Sequence, residues 1–361
     1  MTAPGQWSSD ERTPAGDGAT VTKQRIGRKL GEHAAVTTQP AGSTGAMPDF
    51  FLVGAMKAGT TSLANLLDRH PDIYLPPIKE PNFFATDINA STALQRKNSF
   101  DAIGVEEVLD PDKPRRTQIA VIRDAGQYRA LYAAGAGHAR RGDCSTAYLF
   151  SKEAAGAIAA CCPKAKILIM VRDPVSRAIS EYRMRQAIGS ARGSLDREID
   201  EEMAAMGQNA AVHHGTHMYL RAGRYAEQIE RFQRLFPPDN IKILVFERFV
   251  LDQQGHLDAV CDFLGIARLP LETEERANAS HVPRNRLLGR LLYASGGVYL
   301  ATRLGRYMPL GLKRRLVRFW FTEDSASYGN ERRRLRALFA NEIERMEQLL
   351  GTPLPEWRTS G

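Results

Sequence analysis

The sequence predicts an α/β protein with a central parallel sheet flanked by helices in three layers. Three observations carry that expectation. Phe50–Val53 and Ile167–Val171 are unbroken apolar runs, and Ile241–Phe246 is a third run interrupted only by Lys242. Strands buried on both faces read this way. Helical patterns alternate with the runs, as in the amphipathic stretch from about Arg224 to Phe236 that ends at Pro237-Pro238, and such alternation gives parallel order. The 361 residues, 43% hydrophobic and 25% charged, suffice for one large core or two small ones.

Taken in order, residues 1–46 are rich in Gly, Ala, Pro, Thr and Ser and poor in large apolar groups. Such a segment buries too little surface to offset its ordering entropy, so a disordered N-terminal tail is expected, with the folded domain over residues 47–361. The first strand runs into Gly54-Ala55-Met56-Lys57-Ala58-Gly59-Thr60-Thr61-Ser62, and Leu63, Leu66 and Leu67 continue at helical spacing. The pattern is strand, tight loop, helix. Glycines admit a close backbone approach, the helix start offers unpaired N–H groups, and its dipole favours negative charge. Lys57 adds a point charge and the hydroxyls add donors. The loop is suited to phosphate or sulfate. A Walker A loop has its lysine after the second glycine, whereas Lys57 precedes Gly59; taken alone, an ordinary βα turn is the plain alternative.

The helix after the loop is expected from about Thr60 to Arg69, stopping before Pro71, with His70 structural at its end. Residues 86–118 are polar and irregular and are expected to cross the mouth of the site. Asp124 is a candidate N-cap for a helix carrying Tyr128, Leu131 and Tyr132, and Ser151 for a short helix ending near Cys162-Pro163. Asp173 can cap a helix with Pro174 at its first position, which places Ser176 and Ser180 one turn apart on one face. A parallel sheet binds its ligand at the carboxyl ends of its strands, where Gly54, Arg172 and Glu247 fall. Residues 189–217 lack a strong period and read as a mobile lid, with His213, His214 and His217 on its surface and no further ligands for a metal. Residues 284–319 hold nine Arg and Lys and no acid. They fit a membrane-surface helix, a nucleic-acid patch or a basic wall, though an ordinary solvated helical pair is the simplest reading. Asn330–Leu350 forms a last amphipathic helix with Leu335, Leu338, Phe339, Ile343, Met346 and Leu350 on one face.

The net charge of +8 favours acidic ligands, and nucleic acid would share the sign. The four cysteines, Cys161 and Cys162 adjacent, form neither a disulfide framework nor a metal-ligand spacing. A reducing compartment follows. With no apolar h-region and no run of about 18 apolar residues, a cytoplasmic location without a transmembrane segment or membrane anchor is expected.

The loop at 50–62, the stretch Pro76-Pro77-Ile78-Lys79-Glu80-Pro81-Asn82-Phe83-Phe84 and the stretch Ile167–Tyr182 with Arg172-Asp173-Pro174 together, in this order, resemble the sulfotransferases that use 3′-phosphoadenosine-5′-phosphosulfate (PAPS), the bacterial and heparan-sulfate branches above all. The resemblance runs from about Pro48 to Trp357 and implies a P-loop-like fold and sulfuryl transfer to a hydroxyl of a carbohydrate or small natural product. It assigns the 5′-phosphosulfate to Gly54, Lys57, Ala58, Gly59, Thr60, Thr61 and Ser62, and the 3′-phosphate to Arg172 and Ser180. Arg284, in the stretch beginning at Asn278, resembles the late loop that covers the nucleotide. Lys57 would steady the leaving phosphate and Glu80 would be the base, or would only orient Lys79 or the acceptor. No metal is implied. Gly142–Leu149 resembles a strand and turn near the two substrates, but Cys144 stands where the heparan-sulfate enzymes carry a lysine, so a second catalytic lysine is in doubt. The rival reading is a P-loop nucleotide phosphotransferase such as a kinase, against which the position of Lys57 argues. A nucleic-acid-binding protein is a third, resting on charge alone. The acceptor is not legible.

Overall fold

At the centre of the computed structural model lies β1 (Phe50–Gly54), buried along its whole length. Burying each of its four large side chains contributes about 1.5–3 kcal/mol, which makes this strand the axis of the core. The structure describes residues 47–88, 108–109, 116–187, 190–207, 218–271, 282–283, 321–322 and 328–359. The tail 1–46, the histidines 213, 214 and 217, and the basic stretch 284–319 lie outside these residues.

The main sheet has five strands in the order β2-β5-β1-β6-β7. They are β2 (Ile73–Tyr74), β5 (Arg140–Asp143), β6 (Lys166–Val171) and β7 (Ile241–Val245) around β1, and every pairing is parallel. Chain order breaks at β1, which has β5 on one side and β6 on the other. The expected parallel α/β fold, with the sheet flanked by helices, is the fold observed. A second, small parallel pair joins β3 (Ile78–Glu80) to β4 (Thr117–Ile119). Strand β4 is not legible in the residue pattern, because its three residues are at most half-buried and carry no apolar run.

Helix α1 (Thr60–Leu67) buries Leu63, Ala64, Leu66 and Leu67. After it His70 is structural: its Nδ1 accepts from Asp72 N–H at 3.0 Å and its Nε2 lies 2.7 Å from the Ala267 carbonyl oxygen. Asp124 caps α2 (Ala125–Ala130), accepting from Gln127 N–H at 2.8 Å. A short α3 (Ala147–Phe150) precedes α4 (Ala154–Cys161), whose first amides, Glu153 and Ala154, donate to Ser151 Oγ. Next come α5 (Pro174–Ala187) and α6 (Leu195–Gly207), then α7 (Tyr225–Gln233), α8 (Phe246–Leu251), α9 (Gln253–Leu264), α10 (Gly329–Leu350) and α11 (Pro355–Thr359).

Part of the lid expected over residues 189–217 is corrected: Leu195–Gly207 form α6, which is packed in place, while 208–217 lie outside the described residues. Its inward positions are Leu195, Glu198, Ile199 and Glu202, so two carboxylates interrupt the apolar period and hide the helix. Both are satisfied. Glu198 accepts from Gly193 N–H and the Tyr219 hydroxyl, and Glu202 accepts from Leu220 and Arg221 N–H at 2.9 Å. Helix α10 follows its expected face except at Leu338, which is 40% exposed. Glu342 turns inward instead and accepts from Ala226 N–H at 2.7 Å. Among the described residues no helix is long and apolar enough to cross a membrane.

Candidate functional site

The loop after β1 is shaped by two glycines. A Cβ on Gly54 (φ 154°) would lie 2.7 Å from Leu149 Cβ, and one on Gly59 (φ 89°) would collide with the Phe246 ring. Lys57 between them holds a left-handed φ of 67°, a conformation that costs a non-glycine residue about 1–3 kcal/mol and recurs at ligand clamps. Ala55 N–H is tied to the Met170 carbonyl at 2.6 Å. Helix α1 then begins at Thr60, and Gly59 supplies no capping side chain; Ser62 and Leu63 N–H return to the Gly59 carbonyl at 3.0 and 3.3 Å, so among the described residues the Thr60 and Thr61 amides are the ones left to an anion or to water. Thr60 is buried, Ser62 half-buried and Thr61 exposed. Burial pushes the Lys57 ammonium below the usual lysine range; Glu181 opposes that shift, while Arg172 and Arg177 add to it.

Arg172 follows β6 directly and reaches this loop. Its Nη1 donates to the Lys57 carbonyl at 3.2 Å, and its guanidinium stacks over the Phe246 ring at 4.8 Å. Burial lowers its pKa, opposed by Glu247, and its Nε is buried without a partner among the described residues. Four elements fix its backbone. Tyr225 of α7 donates its hydroxyl proton to the Arg172 carbonyl at 3.0 Å. Asp173 N–H donates to Glu247 of α8 at 3.0 Å, and Glu247 also accepts from Trp357 Nε1 of α11 at 3.0 Å. Arg336 of α10 pairs with the Asp173 carboxylate at 3.3 Å. Asp173 itself caps α5 through Val175 and Ser176 N–H, as expected. The Ser176 hydroxyl is engaged by Asp173 at 2.7 Å, which leaves Ser180, one turn on and half-buried, as the α5 serine on that face. Glu247 and Trp357 were invisible as supports, since neither lies near Arg172 in sequence.

A second wall carries Glu80, 8% exposed at the end of β3. Its Oε1 accepts from Lys79 Nζ at 2.9 Å and Gln118 Nε2 at 3.2 Å, and its Oε2 accepts from Thr146 N–H at 3.3 Å and Thr146 Oγ1 at 2.8 Å. The turn that presents Thr146 is pinned from below. Asp143 accepts from Tyr128, Tyr148 and Ser145, and Ser145 Oγ accepts from Asn82 N–H at 3.0 Å. Burial pushes the Asp143 carboxyl up to about 6. Cys144 is buried, and burial pushes its thiol up to about 12, so no cation stands at that position.

The two walls meet at a cavity of about 20 Å³, lined by Ala55 and Met56 of the loop and by Thr146, Ala147, Leu149 and Phe150 among others. Of the residues singled out in the sequence, Gly54, Lys57, Ala58, Gly59, Thr60, Thr61 and Ser62 form one loop; Arg172 touches it; Ser180 lies on the helix that follows; Glu80 borders it through Thr146. Arg284 lies outside the described residues. Gln118 was missed, because its only signal is contact with Glu80; Thr146 falls in the Gly142–Leu149 stretch expected near both substrates, but its tie to Glu80 was not legible.

A family model described as "Sulfotransferase family" matches residues 48–270. Heparan sulfate glucosamine 3-O-sulfotransferase 3B1 of Mus musculus is 26% identical over 227 residues, 62% of this chain and 47% of that protein. Carbohydrate sulfotransferase 15 of Rattus norvegicus is 24% identical over 283 residues, 67% of this chain and 49% of that protein. These matches span about half the length of the curated relatives. A solved sulfotransferase from Alicyclobacillus acidocaldarius superposes with a TM-score of 0.59 at 26% identity, covering 87% of this chain and 99% of that one.

Proposed function

This chain belongs to the sulfotransferase family, and from that membership we propose that it moves a sulfuryl group from PAPS to a hydroxyl of a carbohydrate or small natural product. The observation that carries the donor is the joining of Arg172 to the Lys57 carbonyl. That contact brings Arg172 to the loop that carries Lys57 and leads into a helix start without a capping side chain. In-line group transfer asks mainly for positioning and charge neutralisation. In this reading the Gly54–Ser62 loop holds the 5′-phosphosulfate, with Gly59, Thr60 and Thr61 offering donors and Ala58 N–H, tied to the Ala55 carbonyl at 3.1 Å, shaping the loop. Lys57 meets the negative charge that grows on the leaving phosphate oxygen. Arg172 and Ser180 take the 3′-phosphate, and Arg284 covers the nucleotide. Glu80, on the opposite wall, is the terminal acceptor of the proton from the attacking hydroxyl.

The names of the relatives, which act on heparan sulfate and other carbohydrate, support a carbohydrate acceptor. We place this chain's action in the cytoplasm, in keeping with free Cys144, Cys161, Cys162 and Cys261, with 1–46 as a tail outside the domain. The test is a pair of measurements. Calorimetric binding of 3′-phosphoadenosine-5′-phosphate (PAP) should exceed that of ATP, and sulfur-labelled PAPS should label a glycan or small product from cell extracts. Equal or tighter ATP binding, with phosphate transfer to the extract, would replace this reading by the kinase.

A further inference from the structure

Glu80 presents a difficulty for any direct role as base. A carboxylate has about four lone-pair sites, and each of its oxygens already accepts two hydrogen bonds, from Lys79 and Gln118 on one side and twice from Thr146 on the other. With the carboxylate only 8% exposed, an acceptor hydroxyl could reach it only by displacing one of these donors. Thr146 is equally buried, at 8% exposed, and differs in what it lines. It lines the cavity that also touches Ala55 and Met56 of the phosphosulfate loop, and its hydroxyl donates to Glu80 Oε2 at 2.8 Å. The cavity, at about 20 Å³, is large enough for one water-sized group, which needs roughly 10–15 Å³. A threonine hydroxyl that donates one proton retains two acceptor lone pairs.

Resting on the sulfotransferase reading above, we propose that Thr146 is a catalytic residue of the transfer, relaying the acceptor's proton to Glu80. As the acceptor oxygen attacks sulfur and the new S–O bond forms, its proton passes to Thr146 Oγ1. In the same step the original Thr146 hydroxyl proton passes to Glu80 Oε2. The S–O bond to the donor phosphate breaks, and its electron pair leaves with the phosphate oxygen beside Lys57. Thr146 ends neutral, Glu80 ends protonated, and no other reactant is needed. The hydrogen bond from Thr146 N–H to the same carboxylate oxygen at 3.3 Å holds the relay in register. Asp143 and Ser145, three residues and one residue before it, hold the turn from the other side.

Thr146→Val removes the hydroxyl at nearly constant shape and keeps the N–H, whereas Thr146→Ser keeps the hydroxyl. Both are compared with the unaltered protein and with Glu80→Gln, using sulfur-labelled PAPS with water and a desulfated heparan oligosaccharide as acceptors, and with PAP affinity and melting temperature as controls on folding. Thr146→Val should lower kcat by about 10²–10³, within the range for proton transfer by a positioned group, at unchanged PAP affinity, and Thr146→Ser should restore most of it. The rate in mixtures of light and heavy water should bow downward for the unaltered protein, since two protons move together, and become linear in Thr146→Val. Full activity in Thr146→Val, or equal losses in Val and Ser, would overturn the relay while inactivity of Glu80→Gln left the base in place. An active Glu80→Gln would overturn base and relay together, and absence of PAP binding by the unaltered protein would remove the donor chemistry beneath both.

Discussion

The two walls of the site are built on opposite plans. The donor wall is cationic: Lys57 is depressed by burial and by Arg172 and Arg177, and the buried Arg172 Nε has no partner among the described residues. The acceptor wall is anionic and saturated, with Glu80 accepting four hydrogen bonds from three side chains and one amide. The difference fits the tasks proposed for them. A site that must gain a highly charged ligand leaves its charges uncompensated until the ligand arrives, at a cost that binding recovers. A group that must receive a proton at one moment is held still by surrounding donors, and it acts only along the one hydrogen bond that can pass a proton on.

The sharpest way to break this contrast is Glu80→Gln. The amide brings N–H toward donors that now point at oxygen, and it removes the proton acceptor. We expect kcat to fall by about 10²–10⁴ with PAP affinity nearly unchanged, measured by label transfer and calorimetry; a matching loss of PAP affinity would merge the two walls into one. The next effect in size is at Arg172→Ala. Charge-assisted hydrogen bonds contribute about 1.5–3 kcal/mol, so PAP should bind roughly ten- to a hundredfold more weakly. The analogue lacking the 3′-phosphate should also weaken, by less, because Arg172 steadies the Lys57 carbonyl too. Equal losses for both ligands would leave Arg172 a loop clamp only.

A smaller effect concerns protons on the donor wall. The bound anion favours charged Lys57, so its depressed pKa should rise on binding. PAP affinity should then decline as pH climbs through the free protein's lysine pKa, with proton uptake seen by calorimetry in buffers of different ionisation enthalpy. Uptake that persists in Lys57→Met would assign it elsewhere. The smallest effect is on stability. Burial raises the carboxyls of Asp143 and Glu202 to about 6, above the ordinary unfolded values near 4. The folded state therefore binds more protons between those limits, and stability falls as pH rises from about 4 through 6. The melting temperature should drop by a few degrees from pH 5 to pH 7, and Glu202→Gln should flatten part of that slope.

By itself the sequence determined whatever is contiguous in the chain. Phe50–Val53, the glycine-bracketed Lys57, the Asp173-Pro174 cap and the face of α10 are local, and backbone sterics, helix capping and hydrophobic period write them directly into adjacent residues. It misread α6, where Glu198 and Glu202 replace apolar positions because they are satisfied by amides at 193, 220 and 221. It could not supply the frame of Arg172, assembled from Tyr225, Glu247, Arg336 and Trp357, nor the meeting of Glu80 with Gln118 and Thr146, 38 and 66 residues away. Those contacts belong to the tertiary structure. A buried charge chooses its partners by proximity in space, and the order of strands about β1 decides which distant segments come within hydrogen-bonding reach.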